Sequence, residues 1–214
     1  MNIYETRVVH SLRNTYQPIL QDIVVFNNLK KRLLAMANSL CEAYQKGEES
    51  PCILLNNYHP SFIGKSISEL HVQKLELETF KQAVAYEHGF IGWQQVSEQL
   101  LNPFFEDAVD TLLAGDVVRL GIMLKEHPTL VHEVSAFGHQ ASLLNYCAAN
   151  GVELWRQRIP MNLEEVIRLL LDNGADSTQK MKVYGGEFDT LSLLETSAHP
   201  WEAGIDKNIL DLLR

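Results

Sequence analysis

The chain has 214 residues, 46% hydrophobic and 21% charged, enough to bury a core in one large or two small domains. Its net charge of −9 argues against sequence-independent binding to nucleic acid, which needs clustered Lys and Arg. Nothing approaches the ~18 apolar residues of a membrane helix, the first residues carry no apolar signal core, and Cys41, Cys52 and Cys147 show no zinc or disulfide spacing, so a cytoplasmic protein is expected.

Apolar spacing is helical almost throughout, which predicts an all-α class. From Asp22 to about Lys46, Ile23, Phe26, Leu29, Leu33, Met36, Leu40 and Tyr44 recur every three or four residues, a helical stretch ending near Gly47. Lys30-Lys31-Arg32 within it reads as a solvated helix face. Glu48-Glu49-Ser50-Pro51 breaks the pattern, and residues 52–66 read as a short helix and a loop. Leu75, Phe80, Val84 and Tyr86 mark the next helix, stopped at Gly89, with Phe90 and Trp93 expected to fold back into the core. A further helix with Val96 and Leu100 is expected to end at Asn102-Pro103. Residues 1–103 are thus expected to form a helical N-terminal module, and residues 104–214 a second domain.

Beyond residue 105 the sequence repeats. Asp107 to Ala114 and a run from Gly115 to Lys125 read as a helix pair. Ser142-Leu143-Leu144-Asn145-Tyr146-Cys147-Ala148-Ala149-Asn150-Gly151 offers a capping Ser, a core Leu, small residues for close helix approach and a terminating Gly. Val166-Ile167-Arg168-Leu169-Leu170-Leu171-Asp172-Asn173-Gly174-Ala175-Asp176 supplies a second helix with its own Gly stop. Asp189 to Leu194 opens another unit, which Ile209, Leu210, Leu212 and Leu213 would close.

In that order these segments resemble the ankyrin repeat, T-P-L-H-x-A-A-x-x-G followed by V-V-x-L-L-L-x-x-G-A-D. The resemblance implies about three repeats, a helix-turn-helix solenoid with one well-formed repeat between two degenerate ones. Residues 30–214 are also similar to a bacterial-looking group of ankyrin proteins with a helical N-terminal module, through Glu87-His88-Gly89-Phe90, Trp93, Ala148-Ala149-Asn150-Gly151, Tyr184-Gly185-Gly186 and Thr196-Ser197-Ala198-His199-Pro200. That likeness implies a fold and carries no activity, substrate or cofactor.

Within the best repeat, Gly151 and Val166 stand 15 positions apart where the pattern puts them about 4 apart, an insertion of about 11. The inserted segment, 152–165, is expected to project from one face, and it holds Trp155, Arg156 and Arg158, residue types enriched at binding hot spots. The finger from Ser177 to Asp189 adds Tyr184 and Glu187, with Gly185-Gly186 marking a tight reversal. With Tyr146 these residues would frame a groove of aromatic and cationic groups suited to an acidic peptide, a carboxylate or a phosphate. The bland alternative has Trp155 packed on a helix and the arginines paired with carboxylates.

His59-Pro60, His127-Pro128 and His199-Pro200 read as helix ends. No HExxH, Cys/His, GxSxG, GxGxxG or P-loop spacing appears, so no catalytic residue, metal site or cofactor is expected. The expected function is a non-enzymatic module binding another protein, through the ankyrin concave face and the 152–165 segment. The alternatives are a small-molecule binder or enzyme with a pocket between module and repeats, and an acidic inhibitor of a basic protein. No nucleic-acid or membrane partner is expected.

Overall fold

The computed structural model describes residues 2–22 and 25–214. Ile23, one of the apolar positions expected in the first long helix, lies outside the described residues. The chain is mostly helical and divides into two compact units, one of residues 7–101, the other of residues 1–6 together with 102–214. Among the described residues, no helix is long and apolar enough to cross a membrane.

The chain opens on a short strand, β1 (Ile3–Tyr4), which belongs to the second unit. Helix α1 (Arg7–Leu20) begins the first unit and buries Val9, Leu12, Tyr16 and Ile19 along one stripe. Helix α2 (Leu29–Gln45) is the centre of that unit, packed against α1, α3 (Ser50–Tyr58) and α5 (Leu77–Glu87), while α4 (Ile67–His71) joins α3. Asn28 fixes the start of α2 by accepting from the Lys31 N–H at 2.9 Å, one of the backbone donors that a helix start leaves without an internal partner. Phe26 therefore sits in the turn before the helix. Arg32 is buried, so only part of Lys30-Lys31-Arg32 is a solvated face.

Two expectations about the end of this unit are corrected. Residues 96–101 form no helix: after a 3-10 turn at Trp93–Gln95, Leu100 sits exposed in a bridge to Asn28. Asn102-Pro103 starts a helix instead of ending one. The Asn102 side chain accepts from the Phe104 N–H at 3.1 Å, and Pro103 occupies the first helical position, where its missing N–H costs nothing. Phe90 and Trp93 are only partly buried, Trp93 lying under the Lys81 ammonium.

The second unit is a set of helix pairs. Helix α6 (Pro103–Leu113) packs on α7 (Val117–Glu126); α8 (Leu143–Tyr146) packs on α9 (Leu163–Asp172); α10 (Thr190–Thr196) packs on a 3-10 turn at Lys207–Leu212. First members lie beside one another, α6 by α8 and α8 by α10, and so do α7 and α9. Ser142 and Asn145 form a reciprocal capping box at the start of α8. Strand β2 (Ile159–Pro160) pairs antiparallel with β1, and β3 (Met181–Val183) with β4 (Gly186–Phe188). His59 and His127 end helices as expected, but His199-Pro200 opens α11 (His199–Glu202).

Candidate functional site

The inserted segment does not project. Val152, Glu153, Leu154, Trp155, Arg156 and Ile159 are all buried, Trp155 at 3% and Arg156 at 1% exposure. Irregular backbone can be buried only where its polar groups find partners: the Arg156 and Gln157 N–H groups donate to the Glu153 and Leu154 carbonyls at 2.9 and 3.2 Å, and the Gln157 side-chain amide to the Val152 carbonyl at 3.0 Å. The buried charges are paired as well. Arg156 donates to Glu106 Oε2 at 2.8 Å and Asp110 Oδ1 at 3.2 Å, both on α6, and its Nη1 lies 3.5 Å from Glu153 Oε1. Its guanidinium stacks between the Tyr146 and Trp155 rings, at 5.5 and 4.4 Å from their centroids. The Gln157 side-chain oxygen lies 3.2 Å from His199 Nε2, at the start of α11. The segment thus crosses α6, α8 and α11 and covers the side of α8 that holds Tyr146.

Glu153 organises the polar half of this layer. Its Oε1 accepts from the Tyr146 hydroxyl at 3.2 Å and stands 3.5 Å from His139 Nε2. The Ala141 N–H donates to His139 Nδ1 at 3.1 Å, which places the ring proton on Nε2, facing Glu153. Burial, then the Glu153 charge, holds the Tyr146 phenol well above its usual range, so it stays a neutral hydroxyl. Burial alone would lower the Arg156 guanidinium, but Glu106, Asp110 and Glu153 outweigh it and keep it charged.

Three of the six expected binding residues, Tyr146, Trp155 and Arg156, are therefore corrected: they lie inside and present no surface. Exposing Val152, Leu154 and Ile159 again would cost about 1.5–3 kcal/mol each, a large share of the roughly 5–15 kcal/mol that keeps a domain folded. The segment is a fixed layer, not a flap. Arg158 is mostly buried and pairs with Glu5 at 3.0 Å beside the β1–β2 ladder. The apolar body of Trp155 is what this site uses, since its indole N–H meets no acceptor among the described residues.

The remaining two, Tyr184 and Glu187, are exposed on the β3–β4 finger. The reversal is centred one residue earlier than Gly185-Gly186. Tyr184 and Gly185, with φ of 55° and 75°, make the two-residue loop, and Gly186 already belongs to β4. A left-handed φ is strained for a bulky side chain. Tyr184 is held there because its hydroxyl donates to Asn150 Oδ1 at 2.5 Å, leaving the residue 72% exposed. Gly151, at φ 77°, lets the base of the finger close. A Cβ there would come within 2.8 Å of Val183. Phe188, which sequence reasoning passed over, is also exposed and lies against Gly186.

No group of three or more His, Cys, Asp or Glu side chains among the described residues is arranged to hold a metal ion. Comparison of the chain with protein-family models, with curated proteins and with solved structures finds no match.

Proposed function

We propose that residues 102–214 are a short ankyrin-repeat array that binds another protein through the β3–β4 finger. The helix pairs α6–α7, α8–α9 and α10 with its closing 3-10 turn, first helix beside first helix, support the repeat reading. So do the capping box at Ser142, the left-handed Gly151 and Gly174 and the finger before α10.

The carrying observation is Tyr184. It accepts backbone strain, stands exposed at a loop tip, and is held in one orientation by Asn150. Strained residues persist where the surroundings over-determine them, and they cluster at functional positions. An aromatic ring fixed before contact loses little side-chain entropy on binding, which suits it to anchor an interface. The covered side of α8 leaves the finger, and not the inserted segment, as the binding element.

A photo-cross-linking amino acid placed at Glu187 or Phe188 tests this. One discrete cross-linked species is expected there, none when the probe stands at Val118, and at least tenfold less after Tyr184→Ala. Equal labelling at all positions, or labelling indifferent to Tyr184→Ala, rejects the reading.

A further inference from the structure

The finger has one unpaired edge, and its geometry follows from the strand register. Tyr184 and Gly185 form a two-residue loop, so Val183 and Gly186 close it as a hydrogen-bonded pair. The next pair, Lys182 with Glu187, is then a non-hydrogen-bonded one, whose backbone groups point away from the facing strand. Lys182 behaves accordingly: its N–H donates to the His139 carbonyl at 2.8 Å, away from β4. By the same alternation Glu187 turns its N–H and C=O to the opposite side. There, among the described residues, no backbone hydrogen bond reaches either group. Such a donor–acceptor pair on an exposed strand is a template for one more strand.

Charge selects the occupant. Residues 7–101 hold nine Lys or Arg and nine Asp or Glu. The second unit holds nine and eighteen, so the whole net charge of −9 resides there. Two of its nine cations face inward or sideways, Arg156 within the buried cluster and Arg158 on Glu5, and do little to offset the acidic surface. A second copy pairing symmetrically through this edge would set Glu187 against its own equivalent, and like charges directly opposite are destabilising. A cation opposite Glu187 would instead repeat the Lys182–Glu187 pair already inside the hairpin.

We infer that the β4 edge takes an extended basic segment of another protein as an added strand, main chain paired to Glu187 and a Lys or Arg opposite its carboxylate. Tyr184 and Phe188 flank the segment. This rests on the finger being the binding face, and the Glu187 amide adds what that reading lacks, the chemistry of the partner.

The probe is a synthetic peptide of about eight alternating Thr and Lys residues, titrated into the ¹⁵N-labelled full chain. The Glu187 and Phe188 amides are expected to shift saturably, and a Thr–Glu peptide to leave them unmoved. Glu187→Pro removes an N–H that no internal partner uses, at a strand edge that tolerates proline, and should weaken binding at least tenfold. Continued exchange protection of the Val183 and Gly186 amides, which belong to the hydrogen-bonded pair closing the loop, will show that the hairpin persists. Glu187→Lys should reverse the preference towards the Thr–Glu peptide.

Three results would overturn the inference: no movement of residues 186–188 at millimolar peptide, affinity unchanged by Glu187→Pro, or self-association through this edge in sedimentation. If Tyr184→Ala abolishes binding while Glu187→Pro does not, the edge pairing is lost and the finger reading stands. The finger reading itself fails on the cross-linking pattern, which needs no peptide.

Discussion

Each unit buries a tyrosine and a histidine around one carboxylate, and the two clusters are put to different uses. In the first unit the Tyr16 hydroxyl donates to Glu87 at 3.3 Å, and His88 Nδ1 lies 3.7 Å from the same oxygen. Glu87 and His88 are neighbours at the end of α5, and His88 keeps its local bond to the Val84 carbonyl at 2.8 Å. In the second unit Tyr146, His139 and Glu153 come from a helix, a loop and the inserted segment, and Arg156 ties them to α6. The first cluster links helices that are already regular. The second holds down backbone with no regular structure of its own, so its charges determine whether a segment is folded at all.

That contrast can be broken at its strongest point first. Arg156→Met is expected to destabilise the second unit by about 3–5 kcal/mol, because it leaves Glu106 and Glu153 buried without a cation. Urea unfolding followed by near-ultraviolet signals would register this, with Trp155 and Trp201 reporting on the second unit and Trp93 on the first. If the Trp93 transition moves with the others by the same amount, the two clusters are not separate devices.

A smaller effect compares like with like. Tyr146→Phe and Tyr16→Phe each remove one hydroxyl from a buried carboxylate, at a cost of about 1–3 kcal/mol. The loss is expected to be greater at Tyr146, whose carboxylate, Glu153, lies in the inserted segment, outside any regular helix, whereas Glu87 ends α5. Equal losses would mean that the surroundings of the two carboxylates do not matter.

The smallest expected effect is on pH. His59 in the first unit and His199 in the second both titrate below their usual 6.5, chiefly because burial disfavours the cation. A folded pKa below the unfolded one means that the unfolded chain takes up protons first. Stability from these groups is therefore complete above about pH 6.5 and declines as pH falls from there towards their folded values. His59→Gln and His199→Gln should each flatten the denaturation midpoint between pH 7.5 and 5.5. A midpoint equally steep without either side chain would exclude them as the cause.

Much of the helical content was legible because capping and spacing are local. Leu29 to Tyr44, Phe80 and Val84, Ser142, Gly151 and the run from Val166 to Gly174 stand where their periodicity put them. The α1 stripe of Val9, Leu12, Tyr16 and Ile19 carried the same three-to-four spacing and was missed, with Pro18 near its end. Asn102-Pro103 was read in the wrong sense because a helix stop and a helix start share those residues. The surface of the candidate site was the least legible part. Trp and Arg have the same composition on a binding face as in a packed layer, and only Glu106 and Asp110, some 50 residues away, decide between them. No local pattern reports such a partner. A cationic residue in an insertion whose acidic complements lie on an earlier helix is the one weak hint available.

The β1–β2 pair has a consequence for how the chain folds. Ile3 meets Pro160, and the Tyr4 hydroxyl meets Glu202 at 2.7 Å, 198 positions along the chain. Residues 3 and 4 thus find their places only after the chain has been made as far as residues 159–202. Closing so long a loop must precede the contacts that reward it, and such pairings are slow. Residues 7–101 can collapse while residues 2–5 still wait, which makes attachment of the β1 strand a late event in refolding.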